Sequence, residues 1–368
     1  MGDTMNNIKL TFFALPLSIF LSTAAFSQAL EEVVVTAQKT EASLQDTPIA
    51  VTAVTEATIK DLNIKNVVDM QGIAPNVMLL PAPANNTGAS LAIRGGVAMN
   101  PAITWEPSVG TYLDGVYVGK TQGAIWDLVD LERVEILRGP QGTLYGRNTL
   151  AGAVNFISKK PSGEGMSGGL TLGNYGLKEG RFIADYRLGG NIFTKVVVHR
   201  KTRDGFVKNL PGPYGPFDGV VPNNLNPATS ELDVIDSKGF KINVYYAGDQ
   251  TTVDFAIDWT DQDNTPPHPQ LGNIMAGWST AFGVGASPLT GGLLLWPAEK
   301  HPRLGLDKTT SLDKDMLETS VVEGTALTIT QDIGIGELKL IIAKRKLDWD
   351  DQLDMDGTPY PIFHTERH

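Results

Sequence analysis

Residues 133–148 read RVEILRGPQGTLYGRN, and this stretch decides how the first half of the chain folds. Val134 and Ile136 favour an extended backbone, because β-branched side chains pack well on a pleated sheet. Glycines follow at positions 139, 142 and 146, where freedom at positive φ suits tight turns. We therefore expect a strand over 130–137, a series of tight turns, and a further strand over 153–158.

The residues around this stretch, from about Thr47 to Pro161, are typical of a small α+β domain. A short alternation over 49–53 predicts a strand, and Thr55 is placed to cap a helix that reaches Leu62. A second helix is expected over 66–71. Residues 109–113 and 116–118 flank an Asp-Gly pair, which predicts a two-residue hairpin turn. These short elements predict one compact mixed sheet.

Beyond Gly165 the pattern changes to alternating apolar and polar residues, which predicts strands with one apolar and one polar face. The predicted strands are 166–174, 178–188, 192–202, 237–247, 251–262, 322–332 and 336–348. Very short links alternate with long links over 204–236 and 263–321, as in outer-membrane barrels with tight periplasmic turns and large outer loops. A soluble β-sandwich is the alternative, but it would not sort its links by length.

The N-terminus has the order of a secretory signal, with Lys9 before an apolar run over 10–26 and Ser27-Gln28-Ala29 as a cleavage site. We expect a signal peptide over 1–29, starting at Met1 or Met5. A transmembrane helix is disfavoured because the run is short and contains proline. Any membrane insertion would then use a β-barrel.

Composition excludes several classes of function. The net charge of −11 argues against binding nucleic acid, and a chain without Cys has no disulfides or thiolate metal sites. Residues 115–121 resemble a phosphate-binding loop but have one residue too few between the glycines. His364 and His368 lie at the chain end without a third ligand, so a solvated tail is expected. We predict no catalytic residues, no metal site and no cofactor, and an enzyme is the weak hypothesis.

Several of these stretches together resemble the TonB-dependent outer-membrane receptor family. The match runs through 91–95, through the hairpin at 107–117, and through 133–148 to 159–161, with Leu150-Ala151 as a minor departure. Near the mature N-terminus a short segment is similar to the family's TonB box. The residues implied to bind TonB are Glu32, Val33, Val34, Val35, Thr36 and Ala37.

The resemblance implies an α+β plug domain followed by antiparallel transmembrane β-barrel strands. The expected divisions are a signal peptide over 1–29, TonB box and linker over 30–46, plug over 47–161, and barrel strands over 162–368. Such plugged barrels close with ~22 strands, and only about seven are predicted here. We therefore expect an incomplete barrel, and a small complete barrel is the disfavoured alternative.

Three plug arginines, Arg94, Arg133 and Arg138, are costly to bury without partners. In the family such arginines face barrel carboxylates, whereas Glu135 and neighbouring plug acids are the alternative partners. Both possibilities stay open. The residues expected in the plug core or at its contact with the barrel are Arg94, Gly95, Arg133, Glu135, Arg138 and Gly139.

The resemblance implies active uptake of a scarce nutrient across the outer membrane of a Gram-negative bacterium. A ferric siderophore is the first choice, followed by cobalamin, a carbohydrate or another large nutrient. The implied partners are TonB, energised through ExbB and ExbD, outer-membrane lipid, and an iron chelate. A passive porin and a signalling receptor are the alternatives. The residues expected at the ligand are Asn85, Asn86, Met99, Asn100 and Trp105.

Overall fold

The computed structural model describes residues 33–81, 87–97, 105–120, 130–209, 230–266, 309–310, 315–354 and 364–367. The predicted signal peptide lies outside the described residues. No described helix has the length and apolar character needed to cross a membrane.

In the N-terminal domain, residues 33–161, the described residues form ten short strands, two short α-helices and a 3-10 helix. In chain order these are β1 (Val34–Val35), β2 (Ala42–Ser43), β3 (Val51–Thr55), α1 (Glu56–Asp61), the 3-10 helix (Val68–Met70), β4 (Val77–Pro81), β5 (Ala89–Ile93), β6 (Gly96–Val97), β7 (Val109–Leu113), β8 (Val116–Val118), β9 (Leu131–Arg138), α2 (Gly142–Tyr145) and β10 (Gly152–Ser158).

The main sheet of this domain has the strand order β3-β9-β10-β7-β8, with β10 parallel to β7 and antiparallel to β9. A second sheet, β4-β5-β6, packs against it. The main core contains Leu79, Ile93, Val134 and Phe156, all buried. The alternation of β9 and β10 thus places one apolar row inside the domain, as expected for a strand with a buried face.

Most of the predicted local elements are present. Thr55 caps α1 by accepting a hydrogen bond from Thr58 N. The turn residues Asp114 and Gly115 have φ values of 52° and 84°, the conformation that a type I′ turn requires. Gly139 adopts the positive φ expected of it, whereas Gly142 begins α2 instead of forming a turn.

The helix predicted over 66–71 is wrong in kind, because the structure has only the three-residue 3-10 helix there. The Asn66 side chain accepts hydrogen bonds from Val68 N and Asp69 N. Gln71 then returns to an extended conformation, and Gly72 has a φ of 87°. The segment therefore stops after one turn.

The described residues after 161 form eleven strands. These are β11 (Gly165–Leu172), β12 (Lys178–Gly189), β13 (Ile192–Arg203), β14 (Val207–Asn209), β15 (Glu231–Leu232), β16 (Ile235–Ala247), β17 (Thr251–Asn264), β18 (Thr309–Thr310), β19 (Leu317–Asp332), β20 (Glu337–Asp354) and β21 (His364–Arg367).

Eight of these strands make one antiparallel sheet, here called the wall sheet, in the order β11-β12-β13-β16-β17-β19-β20-β21. Neighbours in the sheet follow one another in the chain, as in an up-and-down barrel. Within the described residues the sheet does not close, since β11 and β21 each pair with one strand. The wall sheet is thus an open part of a barrel.

Two details differ from the sequence predictions. β21 pairs with β20, with Arg367 opposite Asp351, so the residues expected to be a solvated tail form part of the wall. The long links also hold structure, because β14, β15 and β18 form a small separate sheet.

One face of the wall sheet is apolar and the other is polar. Phe182, Val198, Phe240 and Trp259 lie in one register row across four strands, and Phe182, Val198 and Phe240 are exposed. The next row on the opposite face contains Lys241, Asp258 and Arg345. The apolar face suits lipid and the polar face is turned to the N-terminal domain.

Candidate functional site

The first residues of the described chain are docked on the N-terminal domain. We call residues 33–37 the docked segment. Within it, β1 pairs with β2 through Val34 opposite Ser43. Val35 and Ala37 are fully buried and pack with Tyr112, Tyr145 and Leu137. Glu32, the first residue predicted to bind TonB, lies outside the described residues.

Thr36 is held by a buried carboxylate. Its backbone N–H donates to Glu135 Oε1 at 2.7 Å, and its hydroxyl donates to the same oxygen at 3.1 Å. Glu135 is fully buried and also accepts from Arg133 Nε at 2.9 Å and from Asn155 Nδ2. A charged acceptor with this many donors holds the segment more firmly than a neutral one would.

Two tyrosines complete the floor beneath the docked segment. Tyr112 donates its hydroxyl to the carbonyl of Tyr145 at 2.5 Å, and Asn155 Nδ2 donates to the Tyr145 hydroxyl at 2.8 Å. Burial raises the pKa of Tyr112 and of Tyr145 to about 12, so both stay neutral at physiological pH. The Lys39 ammonium lies 4.0 Å from the Tyr145 ring centroid, and burial followed by the nearby Lys339 lowers the pKa of Lys39.

Two of the three predicted plug arginines, Arg133 and Arg138, have their partners inside the N-terminal domain. Arg133 forms ion pairs with Glu132 and Glu135. Arg138 Nη1 donates to the Pro75 carbonyl at 3.5 Å. Within the described residues, none of the three arginines contacts a carboxylate of the wall sheet. Of the two partners left open for Arg133, the neighbouring acids are the ones observed.

Arg94 and two predicted glycines lie close together. Arg94 and Gly95 have φ values of 51° and 79° in the turn between β5 and β6. A Cβ atom on Gly139 would lie 3.1 Å from Arg94 Nη1. Gly139 therefore leaves the space that the Arg94 guanidinium needs.

Two ion pairs between the wall sheet and the N-terminal domain have the reverse of the expected sign. Lys241 on β16 lies 2.9 Å from Asp114 at the hairpin tip, and Lys195 on β13 lies 3.1 Å from Asp130. Ser158 also donates to Asp114 through its N–H and its hydroxyl, both at 2.8 Å. In these two pairs carboxylates of the N-terminal domain meet wall lysines, whereas the resemblance implied arginines meeting wall carboxylates. A third pair, between Lys65 of this domain and Glu179 of β12, has the cation on the N-terminal domain.

The environment of these two carboxylates differs. Burial raises the pKa of Asp114, but the Lys241 ammonium and the Ser158 hydrogen bonds outweigh it, so the pKa lies below its ordinary value. For Asp130, burial dominates and its pKa lies above the ordinary value despite the Lys195 charge. From the sequence, Asp114 was predicted only as a turn residue. The signal available was an acidic turn tip together with inward-facing lysines on the predicted strands.

The link between the domain and the wall is also held by charged side chains. The Lys195 ammonium donates to the carbonyls of Lys159 and Lys160 at 3.0 and 3.1 Å. Asp185, opposite Lys195 in the wall sheet, accepts from Ser162 N at 3.1 Å and from Gly163 N at 2.8 Å. The backbone over 159–163 is thereby fixed to β12 and β13.

Most residues predicted to touch a ligand lie outside the described part of the chain, namely Asn85, Asn86, Met99 and Asn100. Trp105 is described and is 56% exposed. Thr87, next to that predicted loop, donates its N–H to Glu318 of β19 at 2.8 Å. Among the described residues, no group of three or more His, Asp or Glu side chains is placed to hold a metal ion.

Comparison with known proteins identifies the N-terminal domain. The model of the TonB-dependent Receptor Plug Domain matches residues 43–153. The chain is 28% identical to the Catecholate siderophore receptor Fiu of Escherichia coli over 165 residues, or 43% of this chain and 20% of that protein. It is 34% identical to the E. coli Ferrichrome outer membrane transporter/phage receptor over 134 residues, or 35% of this chain and 17% of that protein.

A third relative, the Vitamin B12 transporter BtuB of Vibrio vulnificus, is 29% identical over 160 residues, or 42% of this chain and 25% of that protein. The aligned part of the chain thus spans a quarter or less of the length of these relatives.

Solved structures share the fold over most of the chain. The ferric yersiniabactin uptake receptor FyuA from Yersinia pestis is 18% identical with a TM-score of 0.62, covering 83% of this chain and 42% of that one. The ferripyoverdine receptor of Pseudomonas aeruginosa is 14% identical with a TM-score of 0.63, covering 89% of this chain and 38% of that one.

Proposed function

The chain belongs to the TonB-dependent receptor family, and on this premise we propose that it serves the active uptake of a ferric siderophore across the outer membrane of a Gram-negative bacterium. The observation that carries the proposal is the docked segment, in which Thr36 is bound by the buried Glu135. A short extended segment at the start of a plug is what a strand-adding partner needs.

In the proposed cycle, ligand binds at the outer loops and at the plug residues beside Thr87. Force from the inner membrane, delivered through TonB, ExbB and ExbD, then acts on residues 32–37. TonB pairs with this segment as an added strand, so that backbone hydrogen bonds provide the grip. The docked arrangement opposes this pairing, because Thr36 N–H is committed to Glu135 and β1 is paired with β2.

The polar contact between plug and wall suits a domain that must rearrange. The ion pairs Asp114–Lys241 and Lys65–Glu179 are partly solvated, so exchanging them for water costs less than exposing an apolar interface. A passive porin is a weaker alternative, since it would need neither the docked segment nor a plug. Siderophore is favoured over cobalamin because the relatives described above include receptors for catecholates, ferrichrome and yersiniabactin.

The test is uptake by cells that produce the receptor and lack other iron receptors. Radioactive iron would be supplied as a ferric tris-catecholate, as a ferric trihydroxamate and as free ferric citrate, with labelled cyanocobalamin as a separate arm. We expect accumulation of at least one iron chelate that stops when TonB is deleted or a proton uncoupler is added. Equal accumulation with and without TonB would support the porin, and accumulation of cyanocobalamin alone would overturn the siderophore assignment.

A further inference from the structure

A cavity of about 580 Å³ lies between the N-terminal domain and the first three strands of the wall sheet. On one side it is lined by α1 and the residues after it, up to Lys65, and on the other by β11, β12 and β13. Cavities that hold small ligands in proteins measure about 300–1,000 Å³. The space is therefore large enough for a metabolite-sized molecule.

The cavity exists because β11 turns small residues towards it. Ser167, Gly169 and Thr171 of β11 lie opposite Ile183, Arg181 and Glu179 of β12. The large apolar residues Met166, Leu170 and Leu172 of β11 alternate with them and are exposed, and Met166 and Leu170 also border the cavity. A Cβ atom on Gly169 would lie 3.3 Å from Arg181 Nε, so a side chain there would crowd the guanidinium.

The lining is cationic along its middle. Arg181 lies opposite His199 of β13, and Glu179 lies opposite Lys201. Arg181 forms no ion pair with any residue in the described part of the chain, and its side chain is exposed to the cavity space. Lysines and arginines outnumber aspartates and glutamates among the lining residues. Such a lining attracts an anion and repels a cation.

An ion pair lies at each end of the cavity lining. At one end Lys65, after α1, lies 2.6 Å from Glu179 of β12, and the side chains are 26% and 23% exposed. At the other end Lys195 lies between Asp130 and Asp185. Glu179 and Asp185 are six residues apart on one strand, a separation of roughly 20 Å at ~3.3 Å per residue. The cavity therefore extends along the strands, which in outer-membrane barrels are tilted by about 35–45° from the barrel axis.

We propose that this cavity is a passage for an anionic cargo, with Arg181 as the side chain that contacts the cargo and the Lys65–Glu179 and Lys195–Asp130 pairs as its outer and inner gates. The inference rests on the proposed uptake function, because only a transported molecule needs such a route. It narrows the substrate to chelates that are negatively charged when loaded with iron, such as ferric tris-catecholates, and disfavours neutral trihydroxamates.

The first test uses the absence of Cys from the chain, which makes any introduced Cys its only thiol. Ser167→Cys lies in the cavity lining, whereas Leu172→Cys on the same strand lies outside it and is exposed. In intact cells both would be reacted with an anionic sulfonate thiosulfonate and with its cationic trimethylammonium counterpart, each rate normalised to a free thiol. We expect Ser167→Cys to prefer the anionic reagent roughly tenfold, the effect of one opposite charge a few ångströms away.

The roles of the named residues are tested in the Ser167→Cys background. Arg181→Gln should abolish the preference for the anionic reagent, and Arg181→Lys should restore most of it. Lys65→Gln should accelerate the reaction by opening the outer gate, whereas Lys60→Gln should not, because Lys60 pairs with Glu56 on its own helix. No charge preference at Ser167→Cys, or the same preference at Leu172→Cys, would overturn the passage.

This labelling separates the two proposals because it requires no transport. If Ser167→Cys shows the charge preference but the cells show no TonB-dependent iron uptake, the proposed uptake function is wrong and the anion selectivity of the cavity is supported. Uptake of iron chelates that is unchanged in rate and binding by Arg181→Gln would remove the role of Arg181 while the uptake function stands. If both hold, Arg181→Gln lowers the maximal uptake rate of the ferric tris-catecholate and leaves its binding at the cell surface unchanged.

Discussion

The carboxylate of Asp258 on β17 and the guanidinium of Arg345 on β20 form a bidentate ion pair across an intervening strand, with N–O distances of 3.1 and 2.9 Å. The strand between them is β19, and the residue in that register row is Gly324. A Cβ atom at Gly324 would overlap both partners. Because Gly324 has no side chain, the carboxylate of Asp258 and the guanidinium of Arg345 can contact each other across β19.

Replacing Gly324 by Ala should therefore break this pair and destabilise the wall sheet. The cost expected for separating a partly buried charge pair is on the order of 1–3 kcal/mol. The midpoint temperature of unfolding in detergent would measure it, with Ala326→Gly on the same strand as a control for backbone flexibility. An unchanged midpoint in Gly324→Ala would show that the pair contributes nothing to the fold.

Glu135→Gln should loosen the docked segment without unfolding the domain. The amide removes the negative charge that accepts from Thr36 and Arg133, a loss of about 1.5–3 kcal/mol for charge-assisted hydrogen bonds. Exchange of the Thr36 amide hydrogen should then become roughly 10–100-fold faster. Glu132→Gln is the matched control, because Glu132 contacts Arg133 but not the docked segment. Equal exchange rates in the two variants would contradict the role of Glu135.

Val34→Pro should abolish TonB-dependent uptake and leave ligand binding intact. Proline removes a backbone donor and blocks strand addition. Val34 is partly exposed, so the change does not open a cavity in the core. Uptake and surface binding of the labelled chelate would be compared with Val34→Ala, which keeps the N–H. Normal transport in the proline variant would exclude residues 32–37 as the TonB-binding segment.

The contact of Asp114 with Lys241 should give the wall contact a defined pH dependence. The pKa of Asp114 is lowered in the folded protein, so its contribution is complete above the ordinary carboxyl range and is lost as pH falls through the lowered pKa. In Lys241→Gln the effect of burial on Asp114 remains, so the pKa of Asp114 should rise. The contribution of Asp114 to the wall contact should then be lost at a higher pH than in wild type. The pH at which this contribution is lost would be measured from the protease sensitivity of the hairpin over 109–118.

Lys238→Gln serves as the control for this experiment, since Lys238 lies 3.0 Å from Asp261 and does not contact the N-terminal domain. The same midpoint pH in wild type and in Lys241→Gln would argue against the contact.

The N-terminal domain should be more stable as residues 33–161 than as residues 47–161. Both fragments contain the main core around Phe156, and both are expected to be soluble without detergent. Only the longer one contains Val35 and Ala37, which are fully buried against Tyr112 and Tyr145. Chemical denaturation should separate the two by about 2–3 kcal/mol, the value of burying two small apolar side chains and the Thr36 hydrogen bonds. Indistinguishable curves would mean that the segment does not dock.

The features of the fold that could be predicted from the sequence are the local ones. The Asp-Gly turn at 114–115 and the cap at Thr55 depend on a few adjacent residues, and both are present. The wall strands were predicted from apolar alternation, which ends where lipid contact ends. Backbone pairing continues beyond it, so β19 begins at Leu317 and β20 reaches Asp354.

The candidate site was predicted less well, because its contacts join residues far apart in the chain. Thr36 and Glu135 are 99 positions apart, and Asp114 and Lys241 are 127 apart. Nothing in the spacing of a single sequence specifies such pairs. The sequence shows acidic residues in the N-terminal domain and lysines on the predicted strands. Which of these charged residues pair with each other depends on how the N-terminal domain packs against the wall sheet. The four-residue strand β21 is too short to show alternation.

The position of Glu135 has a mechanical consequence. It lies on β9, which is flanked by β3 and β10, and not on a sheet edge. Traction applied at Val34 would reach Glu135 through Thr36 and enter the middle of the sheet. From there the load continues through Asn155 on β10 to residues 159–163, which Lys195 and Asp185 anchor in the wall. These hydrogen bonds carry the load in series. The weakest of them breaks first, and its position determines how far the force is transmitted into the protein.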